Sequence, residues 1–248
     1  MADREKIFFA SDFHLGLAAG SPPVEREKKV VKWLMSVAPE AKEIYLLGDV
    51  FDFWWEYKLV VPRGFTRFLG TVAEITDSGT PVHFFTGNHD MWIGDYLVNE
   101  CGIITHTAPV TKFFDGKKFH LAHGEGLGTK DKSYKILLSI FRNKTLRVLY
   151  SALHPSIGVG IGLRWSLSSR LGKGINIDFL GEEREDLIRY SKTILENDNI
   201  DYFIFGHRHL EMKYILNKRV EIIFLGDWIT NGSYAVWDGI NLDFLSFS

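Results

Sequence analysis

The sequence predicts an α/β protein carrying a second, mostly antiparallel sheet, and three observations support that reading. Short apolar runs such as residues 44–47 and 82–85 alternate with stretches of helical periodicity. Several of these runs stop at a glycine followed by polar residues. Beyond residue 210, short strands are separated by the turn residues Asn217, Asn231-Gly232 and Asp238-Gly239. With 248 residues, 46% of them hydrophobic, the chain can bury a full-sized core as one domain, 1–248. A net charge of −2 exerts no pull on nucleic acid, and none is expected as a partner. Cys101 is the single cysteine, so no internal disulfide forms and nothing argues for an oxidising compartment. Met1 to Lys6 lack the apolar core of a signal peptide, and no apolar run reaches the ~20 residues of a bilayer span. A cytoplasmic location is expected.

Residues 6–10 form a short buried strand that ends in Ser11-Asp12-Phe13-His14. Asp12 and His14 are two apart, so in an extended segment both side chains leave one face and can share an ion. Ser21-Pro22-Pro23 breaks the chain before a helix over 24–36, whose Val30, Val31, Leu34 and nearby Val37 fall at helical spacing and assign it to packing alone. The strand at 44–47 runs into Gly48-Asp49-Val50-Phe51-Asp52, and strand carboxyl ends are where α/β proteins place ligands. The aromatics that follow, Phe51, Phe53, Trp54, Trp55 and Tyr57, suit loop packing and ligand contact equally. A helix over 64–78 closes on Ser78-Gly79 and Pro81. The stretch 82–90 is an aromatic strand delivering Asn88 and His89 to a loop, with Gly87 allowing a turn at positive φ. A helix over 92–99 leads to Cys101-Gly102, and 110–114 with 118–122 form a hairpin around Asp115-Gly116 that runs into His123-Gly124-Glu125.

Residues 126–174 change in composition. Lys130, Lys132, Lys135, Arg142, Lys144, Arg147, Arg164, Arg170 and Lys173 face a single acid, Asp131, and apolar residues from Ile136 to Leu153 are interleaved at helical spacing. This reads as a helical lid insertion suited to an anionic membrane surface or an acidic amphiphilic ligand, the alternative being a surface hairpin packed on the core. A helix over 180–196 follows, acidic at its start. The strand at 202–205 then ends in Gly206-His207-Arg208-His209, repeating the spacing of Asp12 and His14.

Strand ends thus supply Asp12, His14, Asp49, Asn88, His123, His207 and His209. Carboxylate, amide oxygen and imidazole suit divalent ions such as Mn, Fe or Zn, and the set is too large for one tetrahedral ion but fits two with a shared carboxylate. His83, His106, His120 and His154 lie outside these fragments and read as strand or surface histidines.

Taken in order, Asp-x-His, Gly-Asp-x-x-Asp, Gly-Asn-His-Asp, His-Gly and Gly-His-x-His resemble the calcineurin-like metallophosphoesterases over nearly the whole chain. The resemblance implies two packed mixed β-sheets flanked by helices and two divalent metal ions, Mn first, with Fe or Zn as alternatives. It implies one ion held by Asp12, His14, Asp49 and His209, the other by Asp49, Asn88, His123 and His207. His89, not needed as a ligand, would stabilise developing charge or protonate the leaving oxygen, with Asp52 or Asp90 orienting it. The run His123-Gly124-Glu125-Gly126-Leu127-Gly128-Thr129-Lys130-Asp131-Lys132-Ser133-Tyr134 is similar to a segment of the UDP-2,3-diacylglucosamine diphosphatases of lipid A biosynthesis. That likeness implies a lipid-linked UDP-sugar cleaved at its α-phosphorus to UMP and 2,3-diacylglucosamine 1-phosphate. It also implies a lid that shelters acyl chains at the inner-membrane surface, and Asn88, His89, Tyr134 and Lys173 as substrate contacts. The chain departs from the better-known members at His89, where they carry Arg, and at Glu125, where they carry Asp. A phosphoesterase for another diester or monoester and a scaffold without activity are the other readings, and the filled ligand positions speak against the scaffold.

Overall fold

The computed structural model describes residues 4–128, 138–141, 143–173 and 178–248, the side chains of 169–173 excepted. In chain order the elements are β1 (Lys6–Ala10), α1 (Pro23–Val37), β2 (Ala41–Leu47), α2 (Thr66–Asp77), β3 (Val82–Phe85), α3 (Tyr96–Cys101), β4 (Ile104–His106), β5 (Val110–Phe114) and β6 (Lys117–Ala122). Then come α4 (Lys144–Ser151), α5 (Pro155–Lys173), α6 (Asp186–Leu195), β7 (Tyr202–Phe205), β8 (Glu211–Leu216), β9 (Val220–Leu225), β10 (Ser233–Trp237) and β11 (Leu242–Ser246).

The strands form a six-stranded sheet in the order β11-β10-β1-β2-β3-β4 and a five-stranded sheet in the order β5-β6-β7-β9-β8. Both are mixed. β1 to β4 run parallel, and β10 joins β1 antiparallel. In the second sheet β6, β7 and β9 run parallel between antiparallel edges. Because side chains alternate along a strand, each sheet buries two faces. Ile7, Phe9, Tyr45, Leu47 and Phe85 meet Phe119, Leu121, Ile204, Ile223 and Leu225 between the sheets. Phe8, Ile44, Leu46 and Phe84 point the other way, beneath Trp33 and Leu34 of α1 and Phe68 and Val72 of α2. Phe203, Phe205 and Phe224 are covered by Leu187 and Ile188 of α6. The layers are therefore helix, sheet, sheet, helix, the arrangement expected from the family resemblance.

Several elements depart from the sequence reading. α1 does more than pack. Its buried Arg26 donates to the carbonyls of His14, Leu17 and Ala19, and its buried Glu27 accepts from the N–H groups of Arg67 and Phe68 at the start of α2. A charged pair on the packing face is stable there because each group satisfies backbone atoms that lack other partners. α3 starts at Tyr96 rather than at Trp92, which instead bridges its backbone to Trp55. β4 was not anticipated: Ile104-Thr105-His106 is too short to show a period. α6 starts at Asp186, after a turn that begins with Gly181 at φ +89°.

The histidines set aside in the sequence lie as expected. His83, His106 and His120 are on strands, and His154 is exposed. His120 is held between the hydroxyls of Thr111 and Tyr190, at 2.9 and 3.0 Å, and burial lowers its pKa from the usual 6.5 to about 4. The folded state therefore binds this proton less readily than the unfolded chain, so stability is full above pH 6.5 and falls as pH drops toward about 4. The variant His120→Gln is expected to lose less stability across that window in denaturant titrations. An unchanged acid dependence would count against His120 as the source.

Candidate metal centre

The carboxyl ends of β1, β2 and β3 in one sheet and of β6, β7 and β9 in the other open onto one point. Asp12, His14, Asp49, His207 and His209 all sit there with positive φ, at +55°, +45°, +51°, +66° and +51°. Side chains other than Gly, Asn and Asp seldom adopt that conformation, and each instance costs about 1–3 kcal/mol unless the surroundings enforce it. The extended geometry expected for Asp12 and His14 is thus replaced by left-handed backbone that turns the side chains inward. Gly87 is also corrected. It does not have positive φ; it is required because a Cβ there would lie 2.2 Å from Asp49 Oδ1.

Three groups of side chains bring their ligand atoms within 4.8 Å of one another: Asp12 with His14 and His209, Asp49 with His123 and His207, and His14 with Asp49 and His89. The Nε2 atoms of His14 and His209 are 3.3 Å apart. Asp12 Oδ1 is 3.6 Å from the first and 3.5 Å from the second. Asp49 Oδ2 lies 3.8 Å from His14 Nε2 and 3.4 Å from His123 Nε2, between the two triads. Asp12 Oδ1, Asn88 Oδ1 and His123 Nε2 are buried without a hydrogen-bond partner. Orphaned acceptors of this kind at one point are what divalent cations satisfy, and the oxygen and imidazole donors fit hard-to-borderline ions. The geometry would also admit His89 as a ligand.

The far ring nitrogens are fixed by neighbours. His123 Nδ1 donates to the Leu47 carbonyl at 2.7 Å, His209 Nδ1 to Asp227 Oδ2 at 3.0 Å and His89 Nδ1 to the Asp52 carbonyl at 3.0 Å. In each ring Nε2 is then the nitrogen left to face a cation once it carries no proton. Asp227 was missed in the sequence although Phe224-Leu225-Gly226-Asp227 repeats the strand-glycine-acid signal of Gly48-Asp49. Asp52 orients His89 through its backbone. Its carboxylate faces elsewhere, to His14 Nδ1 at 3.6 Å and to the Ser166 hydroxyl at 2.9 Å. Asp90 receives the N–H groups of Gly87, Val50 and Phe51 and so ties the β2 and β3 loops together.

The electrostatics are those of a site designed for cations. Burial opposes the charge on Asp12, yet the nearness of the His14 and His209 rings holds it well below the carboxylate range. Burial likewise opposes the charge on Asp49, and His123 and His89 hold it low. His123 is pushed up by Asp49 in spite of its burial, whereas burial and His123 bring His207 down to about 3. Burial, reinforced by Asp49, raises Asp90 to about 7. A cation entering beside Asp49 would displace the proton on His123, so metal affinity should fall on acidification.

Beside the centre lies a cavity of about 500 Å³ lined by Phe53, Trp55, Trp92, Phe141, Tyr150 and Trp165 among others. The His89 and Trp165 ring centroids are 5.9 Å apart. The aromatic run after Asp49 therefore divides its roles: Phe51 and Trp54 enter the core under α2, while Phe53 and Trp55 line the cavity. Of the other expected substrate contacts, Tyr134 and the side chain of Lys173 lie outside the described residues.

Because Asp227 sets the His209 tautomer, Asp227→Asn is expected to weaken metal binding roughly 10–100-fold. Competition with a chromogenic chelator would measure it, and unaltered affinity would remove Asp227 from the centre.

The sequence pattern of the calcineurin-like phosphoesterases matches residues 5–211. A UDP-2,3-diacylglucosamine hydrolase of Porphyromonas gingivalis is 44% identical over 252 residues, covering 96% of this chain and 96% of that protein. A protein of the same name from Histophilus somni is 26% identical over 228 residues, covering 90% of this chain and 92% of that one. Among solved structures, a phosphoesterase from E. coli aligns with a TM-score of 0.45 at 14% identity, covering 98% of this chain and 100% of that one. Family members use divalent metals, and a pattern match across most of the chain, ending on the paired triads of a two-sheet fold, means that this protein belongs to the calcineurin-like phosphoesterase family.

Proposed function

We propose that this enzyme hydrolyses the pyrophosphate of UDP-2,3-diacylglucosamine to UMP and 2,3-diacylglucosamine 1-phosphate. The observation that carries the reading is the cavity of about 500 Å³ with its aromatic and aliphatic walls, which opens directly beside the phosphoesterase centre. A centre for small polar phosphates has no use for such a wall, whereas acyl chains do. The similarity to the Porphyromonas gingivalis hydrolase supports the same substrate.

Asp12, His14, Asp49 and His209 would hold one divalent cation, and Asp49, Asn88, His123 and His207 the other. When bound, such a pair supplies a water activated near neutral pH and neutralises the phosphoryl oxygens. The protein's own part is orientation and proton control. The Asp52 carbonyl holds His89 through Nδ1, so that Nε2 is the atom that exchanges a proton and can stabilise the leaving phosphate. Burial of Asp12, Asp49 and His123 at 0, 2 and 3% exposure keeps their charges little screened and the ligand set preorganised. Residues 126–174 would serve as a lid. α4 and α5 bring Tyr150 and Trp165 over the cavity, and a Cβ on Gly162 would fall 2.2 Å from the Phe53 ring, so α5 needs glycine to sit this close.

No helix among the described residues is long and apolar enough to cross a membrane. The insertion instead presents Val148, Leu149, Ile157 and Leu167 at 69, 62, 56 and 53% exposure, and Lys144, Arg147 and Arg164 are exposed on the same two helices. Exposed apolar and basic groups on these helices would suit insertion at an anionic leaflet, from which a diacylated substrate would be drawn.

Phosphorus NMR of the Mn-loaded enzyme with UDP-2,3-diacylglucosamine in oxygen-18 water should place the label in UMP. The His89→Ala variant should be slower by roughly 10²–10⁴-fold. A wild-type enzyme that cleaves a simple diester but releases no UMP would refute the substrate. Vesicle sedimentation should show binding to anionic but not neutral vesicles, weakened by salt. Binding indifferent to lipid charge and salt would refute the membrane role.

A further inference from the structure

A second cleft, of about 200 Å³, meets the same centre from another side. Asp49 Oδ1 accepts from the His89 N–H at 2.9 Å, next to Trp165 and the aromatic cavity. Its Oδ2 lies 3.4 Å from His123, which lines the second cleft. The other walls include Thr86 after β3, His106 and Thr107 at the end of β4, and Glu125 after β6. A substrate whose unlike halves are joined by a pyrophosphate needs two pockets converging on the reacting phosphorus. The aromatic cavity answers to the apolar half, which leaves the polar cleft for the nucleoside. This step rests on the UDP-sugar reading above.

One wall carries a fixed hydrogen-bond polarity. The Glu43 carboxylate, lowered in pKa by its bond to His83, accepts from Tyr45 at 2.5 Å and from His83 Nε2 at 3.1 Å. His83 Nε2 faces that carboxylate, and its Nδ1 lies 2.9 Å from His106 Nε2, a bond in which one ring donates and the other accepts. Where His83 Nδ1 is the acceptor of that bond, His106 donates through Nε2 and its Nδ1 is left as an acceptor, with no partner among the described residues. Burial and the neighbouring His83 lower the His106 pKa to about 4, so the ring stays neutral near pH 7.

We propose that this cleft is the uracil subsite, with His106 Nδ1 accepting the uracil N3–H and thereby selecting a uridine nucleotide. Uracil carries a donor at N3 between two carbonyl acceptors, while cytosine presents a lone pair at the same place. The Thr86 and Thr107 hydroxyls are donors on hand for the carbonyls. The chain Tyr45–Glu43–His83–His106 is thus a device that sets the tautomer from the interior of the sheet and delivers one acceptor to its edge.

Calorimetric titration of the Mn-loaded enzyme with UMP, CMP and 3-methyluridine 5′-monophosphate tests this without relying on turnover. UMP should bind at least roughly tenfold more tightly than either of the others, because each of them leaves the acceptor unpaired. In His106→Gln, whose amide can still reach His83 but offers no acceptor at the Nδ1 position, the three affinities should converge. Equal binding of all three by the wild type overturns the subsite, whatever the variant does. A UMP preference that survives in His106→Gln overturns His106 as the reader. Failure to cleave UDP-2,3-diacylglucosamine would instead sink the substrate reading, and the nucleotide ratios would still decide the subsite.

Discussion

The Asp49 carboxylate is the constraint on which the rest of the centre depends. It stands after β2, accepts from the His89 N–H through one oxygen and faces His14 and His123 with the other. Those partners come from three different strand ends in two sheets, so a single carboxylate registers the sheets against each other. Two features follow from its position. Gly87 lacks a side chain because Asp49 occupies the space, and Asp90 binds the backbone of both flanking loops, which fixes the approach of β3 to β2.

Holding the carboxylate there requires local backbone strain. Five of the proposed ligands, Asp12, His14, Asp49, His207 and His209, have left-handed backbone in the sharp turns after β1, β2 and β7. The packed sheets on either side, and Arg26 bonded to three carbonyls of the β1–α1 loop, offset that strain. The ligands are consequently preorganised, and most of what a cation would gain on binding need not be spent on ordering them.

The helical insertion and the centre are tied together as well as adjacent. Ser166 on α5, fully buried, donates to the Asp52 carboxylate, whose other oxygen is 3.6 Å from His14 Nδ1. Phe53 and Trp55, a few residues further on in the same loop, line the cavity that the insertion covers. One loop after β2 therefore carries a proposed ligand, the group that orients His89 and the floor of the apolar cavity. The candidate metal centre and the apolar cavity are thus coupled by chain connectivity, because the aromatic run directly follows the acid.

Much of this protein is legible in the sequence alone: strands that end at Asp12, Asp49, Asn88, His123 and His207, the helical character of the insertion, and the candidate ligand residues that the fold brings together. Those features are legible because they are local, each being a short apolar run that stops at a polar group, with a glycine before Asp49, Asn88 and His207. What the sequence could not give was set by contacts between segments far apart. Asp227 carries the same local signal as Asp49, but its role exists only because β9 lies beside β7 and brings it to His209. The helix that carries Arg26 and Glu27 read as packing alone, and these two charges act as interior ties only because the β1–α1 loop and the start of α2 close over them. His83 and His106 are ordinary strand histidines in sequence, and only the parallel pairing of β3 with β4 lines them up as a relay from Glu43. Left-handed backbone at the ligands was equally invisible, since residue type favours extended or helical φ there. Only the fit of two sheets around one point could impose it.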